Sequence, residues 1–206
     1  MQQPLGKTLD QSTRVRHIAI DMQRLVAEQT AWHSPTVMAI LPNVLKLSRA
    51  LRKQTLFARF TAPYDVAAAR GSWKAFYRRW PMITGQVLDP TLLDLVAPLA
   101  ELARPDQIFD KLGYSIFSAP ALDGELQRSK TDTLILSGIE TDVCVYSSAL
   151  AAVDLGYLVV LAEDALASPD DHAHHAVLTQ LAPRLPEQIK IMSTDAILHA
   201  YAESTP

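Results

Sequence analysis

The sequence predicts a single α/β domain of the doubly wound kind, and three observations predict it. Short apolar, β-leaning runs alternate with helical patterns along the whole chain, with no internal repeat and no linker. Between Asp132 and Ser168 the alternation is sharpest. Thr133 to Leu136 is a strand ended by Ser137-Gly138, a helical pattern follows from Val143 to its stop at Gly156, and Leu158 to Ala162 is the next strand. Lastly, single polar residues follow directly on apolar strands, at the carboxyl edge where open parallel sheets build their sites.

Taken in order, residues 1–13 form a polar arm and residues 14–206 the domain. Val15 to Ile20 reads as a buried strand that runs into Asp21-Met22-Gln23, where Asp21 is either a site acid or a turn and helix-cap acid. Pro35 to Gln54 is a helix with Val37, Ile40, Leu41, Val44, Leu45, Leu47 and Leu51 mostly on one face. Thr55 to Phe60 is the second strand. The long aromatic and basic excursion after it, Thr61 to Trp80, is of the kind that carries function. Its Trp73, Phe76, Tyr77 and Trp80 either staple it to the body or a neighbouring subunit, or contact a ligand. Leu92 to Leu102 is an amphipathic helix ended by Pro105, and Gln107 to Asp110 is a strand leading into Lys111 and a glycine-aromatic turn. Leu122 to Arg128 is a helix. After the central unit come a strand closed by Glu163 to Ser168, a helix from Asp171 to Leu181, a strand from Gln188 to Met192 and a terminal helix from Thr194 to Glu203.

Composition sets the outer bounds. With 206 residues, 49% hydrophobic and 20% charged, the chain has material for one substantial core. A net charge of -3 without runs of like charge gives no nucleic-acid footprint. No apolar segment approaches the roughly 18 residues a bilayer span needs, and the first residues lack a signal-peptide core, so no membrane partner is expected. One cysteine excludes an intrachain disulfide framework, and the cytoplasm is the expected compartment.

That cysteine, Cys144, lies in the first turn of the central helix. Free N–H groups and the helix dipole there are expected to favour thiolate and lower the thiol pKa. Asp21, Lys111 and Cys144 thus stand at the ends of three strands of one presumed parallel sheet. Their chemistry is complementary: a carboxylate to take the thiol proton, a lysine to supply positive charge, and turn amides from Glu140 to Cys144 to meet an oxyanion.

Three motifs make the chain resemble the isochorismatase-like cysteine hydrolase superfamily from about Val15 to Ala200. They are Ile20-Asp21-Met22-Gln23, Asp110-Lys111 with Tyr114-Ser115-x-Phe117, and Gly138-Ile139-Glu140-Thr141-Asp142-Val143-Cys144-Val145. The stretch Asp164 to Ser168 also fits. The resemblance implies a three-layer αβα domain with a six-stranded parallel sheet and helices on both faces. It implies Asp21 as general base and acid, Lys111 as charge partner, Cys144 as nucleophile, and the backbone amides of Glu140 and Cys144 as oxyanion hole. It also implies a cis Ile139–Glu140 peptide, no cofactor, and a homodimer or homotetramer.

Departures from the pattern narrow the chemistry. Nicotinamidases of this superfamily hold a metal with an Asp-x-His pair and a further histidine after the second strand, yet Arg59 to Trp80 contains no histidine, so no metal is expected. His172 and His175 share a helix face by spacing, which suits a metal pair but better suits a capped or solvated helix start. Isochorismatases cleave a vinyl ether without needing a cysteine nucleophile, so an intact Cys144 motif favours amide, carbamoyl or ureido C–N hydrolysis of a small molecule through a thioester. The alternatives are vinyl ether hydrolysis, and an inactive relative serving in binding or assembly. Arg59, after the second strand, is either a bidentate partner for a substrate carboxylate or half of a structural ion pair with Asp65 or a neighbouring acid. Arg59, Trp73, Tyr114 and Ile139 are the candidate substrate-lining residues.

Overall fold

Six runs rich in aliphatic and β-branched residues form strands: β1 (Val15–Ile20), β2 (Thr55–Phe60), β3 (Ile108–Lys111), β4 (Thr133–Ile139), β5 (Leu158–Ala167) and β6 (Ile189–Met192). The computed structural model describes residues 14–204; the amino-terminal arm expected over residues 1–13 lies outside them. The strands form one sheet in the order β3-β2-β1-β4-β5-β6, with all five neighbouring pairs parallel. The helices are α1 (Arg24–Ala27), α2 (Thr36–Ala50), α3 (Trp73–Arg79), α4 (Ala97–Ala100), α5 (Leu122–Arg128), α6 (Tyr146–Asp154), α7 (Asp171–Ala176) and α8 (Thr194–Ser204).

Strand periodicity divides the core into two layers. Ala19, Phe57, Ile135 and Val160 face one side and pack with Val37, Val44 and Leu47 of α2 and Ile197 of α8. Their chain neighbours Ile18, Leu56, Leu134 and Val159 face the other side and pack with Leu122 and Leu126 of α5 and Ala149 and Ala152 of α6. The result is the three-layer αβα arrangement that the motifs imply, and central strand β4 is buried along its whole length. Among the described residues no helix is long and apolar enough to cross a membrane.

The strand order reverses between β1 and β4, which makes their carboxyl ends the topological switch point. Here the two backbones meet closely. Gly138 pairs with Ile20 and has φ +110°, and a Cβ built on it would lie 2.1 Å from the Ile20 carbonyl oxygen. Only glycine fits this position.

Several elements differ from expectation. The helix expected over Leu92 to Leu102 is instead a 3₁₀ turn (Pro90–Leu93), an extended piece, and the single turn of α4. Gln23 causes the break: its amide donates to the carbonyls of Leu93 and Phe60, and its backbone bridges to Leu95. Met22 likewise accepts from the Val96 N–H. These tertiary bonds replace the helical ones. β5 continues to Ala167 because its pairing with β4 shifts register between Leu136 and Gly138. In that irregular stretch Asp164 accepts from both the N–H and the hydroxyl of Thr194, holding the start of α8. The helix expected from Asp171 to Leu181 keeps its position but passes from α7 into a π turn at Val177.

One buried polar cluster lies inside the sheet. His17 is wholly buried, with Nδ1 3.1 Å from the Thr55 hydroxyl and Nε2 2.8 Å from the Ser137 hydroxyl. Burial lowers its pKa from 6.5 to about 3, so the folded ring is neutral. The unfolded chain binds a proton that the folded chain refuses between those two values, so stability falls as pH drops through that window. Urea unfolding at pH 7 and pH 5 should show wild type losing about 2 kcal/mol more than His17→Gln over that interval. Parallel losses in the two proteins would refute this. A second contrast concerns glycines. Gly138→Ala should cost more than about 3 kcal/mol, or prevent folding, through the clash with Ile20. Gly156→Ala, where φ is +89° and nothing lies within 4 Å, should cost only about 1–2 kcal/mol of left-handed strain. Equal melting temperatures for the two variants would contradict the close approach of β1 and β4.

Candidate active site

β1 ends at Ile20, and the next residue, Asp21, has φ 54°, a left-handed conformation that costs a non-glycine residue about 1–2 kcal/mol. Its amide donates to the Ala58 carbonyl, so the strand ladder holds the backbone while the side chain turns out over the sheet edge. The side chain is no helix cap: α1 begins three residues later, beyond Gln23. Strain of this kind persists only where the surroundings over-determine it, and it clusters at sites of function.

Lys111 closes β3, two strands away from β1. Its side chain is fully buried, passes 5.9 Å from the Phe60 ring and places Nζ 2.9 Å from Asp21 Oδ2. Nζ also donates to the Gly113 carbonyl at 3.1 Å and lies 3.5 Å from Cys144 Sγ. Burial acts to lower the ammonium pKa, but the facing Asp21 and Cys144 outweigh it and hold it above its ordinary value. Lys111 is therefore charged. Asp21 Oδ1 is buried and has no hydrogen-bond partner among the described residues, which leaves one acceptor oxygen open beside the thiol.

Cys144 arrives from β4. The strand ends at a cis Ile139–Glu140 peptide, and the chain continues as a π turn over Thr141–Val145 before α6 begins. Such wide turns recur where a helix start is shaped for a site. Two bonds pin the turn. Thr141 Oγ1 lies 2.8 Å from His174 Nδ1 of α7, and the Ser148 hydroxyl, which accepts from the Ile116 N–H, donates to the Cys144 carbonyl. Burial pushes the Cys144 thiol well above its ordinary pKa, Asp21 adds to the rise, and Lys111 only partly offsets it. This corrects the expectation of a lowered thiol pKa: the aspartate and the dry surroundings outweigh the lysine, so the thiol carries its proton at rest.

Asp21, Lys111 and Cys144, drawn from three strand ends, thus meet, and Asp21 and Cys144 line one cavity of about 420 Å³ while Lys111 stays buried behind them. Of the four candidate lining residues, Tyr114 and Ile139 line this cavity and Arg59 and Trp73 do not. Arg59 forms a bidentate pair with Asp110 at 2.8 and 3.1 Å and reaches Asp94 at 3.5 Å. It is therefore a structural ion pair, with Asp110 rather than Asp65. Trp73 packs behind the wall, its ring centroid 4.9 Å from that of Tyr114. The excursion instead contributes Phe76 and Trp80, which meet Trp32 from the segment after α1. Trp32, Gln23, Ser148 and His174 were not marked by sequence reasoning as contributors to this site. A tryptophan soon after the Asp21 motif was the one available signal.

Of the late histidines, His175 Nδ1 bonds the Asp171 carbonyl, and His174 serves Thr141 as described. Among the described residues no group of three or more His, Cys, Asp or Glu is arranged to hold a metal ion.

Comparison with known proteins agrees with this architecture. The uncharacterized isochorismatase family protein YecD of Escherichia coli O157:H7 is 32% identical over 90 residues, which is 44% of this chain and 46% of that protein. The match thus spans less than half of that relative's length. Nicotinamidase 3 of Arabidopsis thaliana is 29% identical over 158 residues, or 77% of this chain and 79% of that protein. The crystal structure of a cysteine hydrolase from Pseudomonas syringae pv. phaseolicola 1448A superposes with a TM-score of 0.79, covering 99% of this chain and 100% of that one. Its identity is 23%, a likeness of fold. The isochorismatase domain itself is matched from residue 16 to residue 195, spanning β1 to the start of α8, and the chain therefore belongs to the isochorismatase family.

Proposed function

We propose that this protein is a hydrolase that cleaves the C–N bond of a small amide, carbamoyl or ureido compound, using Cys144 as nucleophile. The observation that carries the reading is the contact set beside the cavity: Lys111 Nζ 2.9 Å from Asp21 and 3.5 Å from Cys144 Sγ, with Asp21 Oδ1 unpartnered among the described residues. A buried lysine that bonds both a carboxylate and a thiol has little structural purpose, since an apolar residue of similar size would fill the space at lower desolvation cost. The relative named Nicotinamidase 3 points the same way, since nicotinamide is a carboxamide.

The chemistry follows from the protonation states. At rest Cys144 is a thiol and Lys111 an ammonium ion. As Sγ attacks the substrate carbonyl carbon, Asp21 takes the thiol proton, and Lys111 steadies the charge that moves between sulfur and carboxylate. The carbonyl electrons collect on oxygen, and the backbone amides of Glu140 and Cys144 are the donors assigned to it. Collapse of this intermediate breaks the C–N bond, and Asp21 returns the proton to the departing nitrogen, giving ammonia or an amine and a Cys144 thioester. Water then attacks the thioester with Asp21 as base, releasing the acid and restoring the thiol. No step needs an oxidant or reductant.

Ammonia release from a panel of primary amides and ureido acids tests this reading, with wild type beside Cys144→Ala and Asp21→Asn. Both variants should lose at least roughly a thousandfold in kcat/KM. Turnover that survives the loss of Cys144 while still needing Asp21 would instead indicate vinyl ether chemistry. The thiol offers an independent test. Because Lys111 lowers the thiol pKa and Asp21 takes the thiol proton as sulfur attacks, iodoacetamide at pH 7.5 should alkylate both Lys111→Met and Asp21→Asn more slowly than wild type. Alkylation of Asp21→Asn as fast as wild type would overturn Asp21 as the base for Cys144.

A further inference from the structure

The cavity above Cys144 has an unusual balance of charge. The charged side chains lining it, Asp21 and Glu140, are both acidic, and among the described residues no lysine or arginine lines it. Three cations stand nearby in the fold and none of them lines the cavity: Arg79 is exposed, 5.4 Å from the Trp80 ring centroid, and the other two are already engaged. Lys111 is held by Asp21, Gly113 and Cys144, and Arg59 by Asp110 and Asp94. Burial, followed by the neighbouring Asp142 and Asp21, pushes Glu140 above the usual carboxylate range, the mark of a site that resists further negative charge. A carboxylate on the substrate would lose water there with no lysine or arginine in the described lining to receive it.

The opposite wall is aromatic. The Trp32 ring lies 5.3 Å from Phe60, 5.9 Å from Phe76 and 6.2 Å from Trp80, centroid to centroid, with tilted or edge-on geometry. Leu25 and Val26 extend this apolar surface. At about 420 Å³ the cavity lies within the range of about 300–1,000 Å³ typical of sites for drug-sized ligands, more than a single ring and its amide require.

We infer that the acyl group taken by this site is uncharged, apolar and larger than one ring, seated against Trp32, Phe76 and Trp80 with its carboxamide over Cys144. The placing of the carboxamide rests on the amidohydrolase reading above. Selectivity then comes from two sources: aromatic contact that rewards a flat hydrophobic group, and the missing cation that rejects an acid. Release has the same logic. Hydrolysis of R–CO–NH2 by water yields R–COO⁻ and NH4⁺, so the product acquires the charge this cavity does not hold.

The test uses three amides: 2-naphthamide, acetamide and the anionic succinamate. For wild type, kcat/KM for 2-naphthamide should exceed that for each of the others at least tenfold. Trp32→Ala should cut the naphthamide-to-acetamide ratio at least tenfold, and Trp32→Phe should restore most of it, which separates loss of a wall from loss of fold. His33→Arg, which adds a cation at a half-buried lining position, should raise succinamate turnover relative to 2-naphthamide. Preference for succinamate, or a ratio unchanged in a folded Trp32→Ala, would overturn the inference. Calorimetric titration of Cys144→Ala with 2-naphthamide and succinamate separates pocket from chemistry. If no amide is turned over but 2-naphthamide still binds at least tenfold tighter, and Trp32→Ala weakens it, the apolar acyl pocket stands and the amidohydrolase reading falls. Equal affinities, or tighter binding of succinamate, would overturn the pocket assignment itself.

Discussion

The site depends on a buried ion pair between residues 90 positions apart in the chain. Asp21 and Lys111 meet at 2.9 Å with almost no solvent contact, and neither charge is tolerable there without the other. The pair spans the width of β2, because Lys111 stands at the end of an outer strand and must reach beneath Phe60 to find its partner. The strained backbone at Asp21, the order of the three strands and the burial of the lysine stem all serve this one contact. Cys144 then senses the pair's balance. Aspartate and dryness keep its proton on, and the lysine moderates both.

The third member is delivered by a close approach of backbones rather than by a side-chain bond. Gly138 lets β4 press against Ile20 of β1, so the turn that carries Cys144 rises beside the turn that carries Asp21. Thr141 with His174, and Ser148 with Ile116, then tie that turn to α7 and to the loop beyond Lys111. The switch point of a doubly wound sheet explains why two separate strand ends open onto the same crevice.

Much of this was legible in the sequence because it rests on local signals. The strands β1, β2, β4 and β6 and the helix α2 follow from apolar periodicity, and Asp21, Lys111 and Cys144 were marked by standing just past strand ends. What was not legible depends on contacts between distant segments. The pattern from Leu92 to Leu102 is amphipathic and reads as a helix, yet Gln23 takes the Leu93 carbonyl from seventy residues away. Arg59 had the right chemistry for a substrate carboxylate, and only the pairing of β2 with β3 reveals that Asp110 stands beside it. Trp32 lies in a segment without periodicity, so nothing local announced that it would meet Phe76 and Trp80. The thiol's protonation turned on burial, a quantity that residue order at a helix start does not contain.

The division of labour between sheet and loops has a consequence for how such a protein diversifies. The reacting groups hang from strand ends locked by ladder bonds and by Gly138. Trp32, Phe76 and Trp80, by contrast, sit on two segments outside the sheet, one following α1 and the other within the excursion after β2. Replacing residues in those segments reshapes the cavity without moving the ion pair. The architecture therefore separates what is done to a bond from which molecule presents it. Inherited changes can explore new ligands in the segments around Trp32 and Trp80 while the sheet edge preserves the reaction.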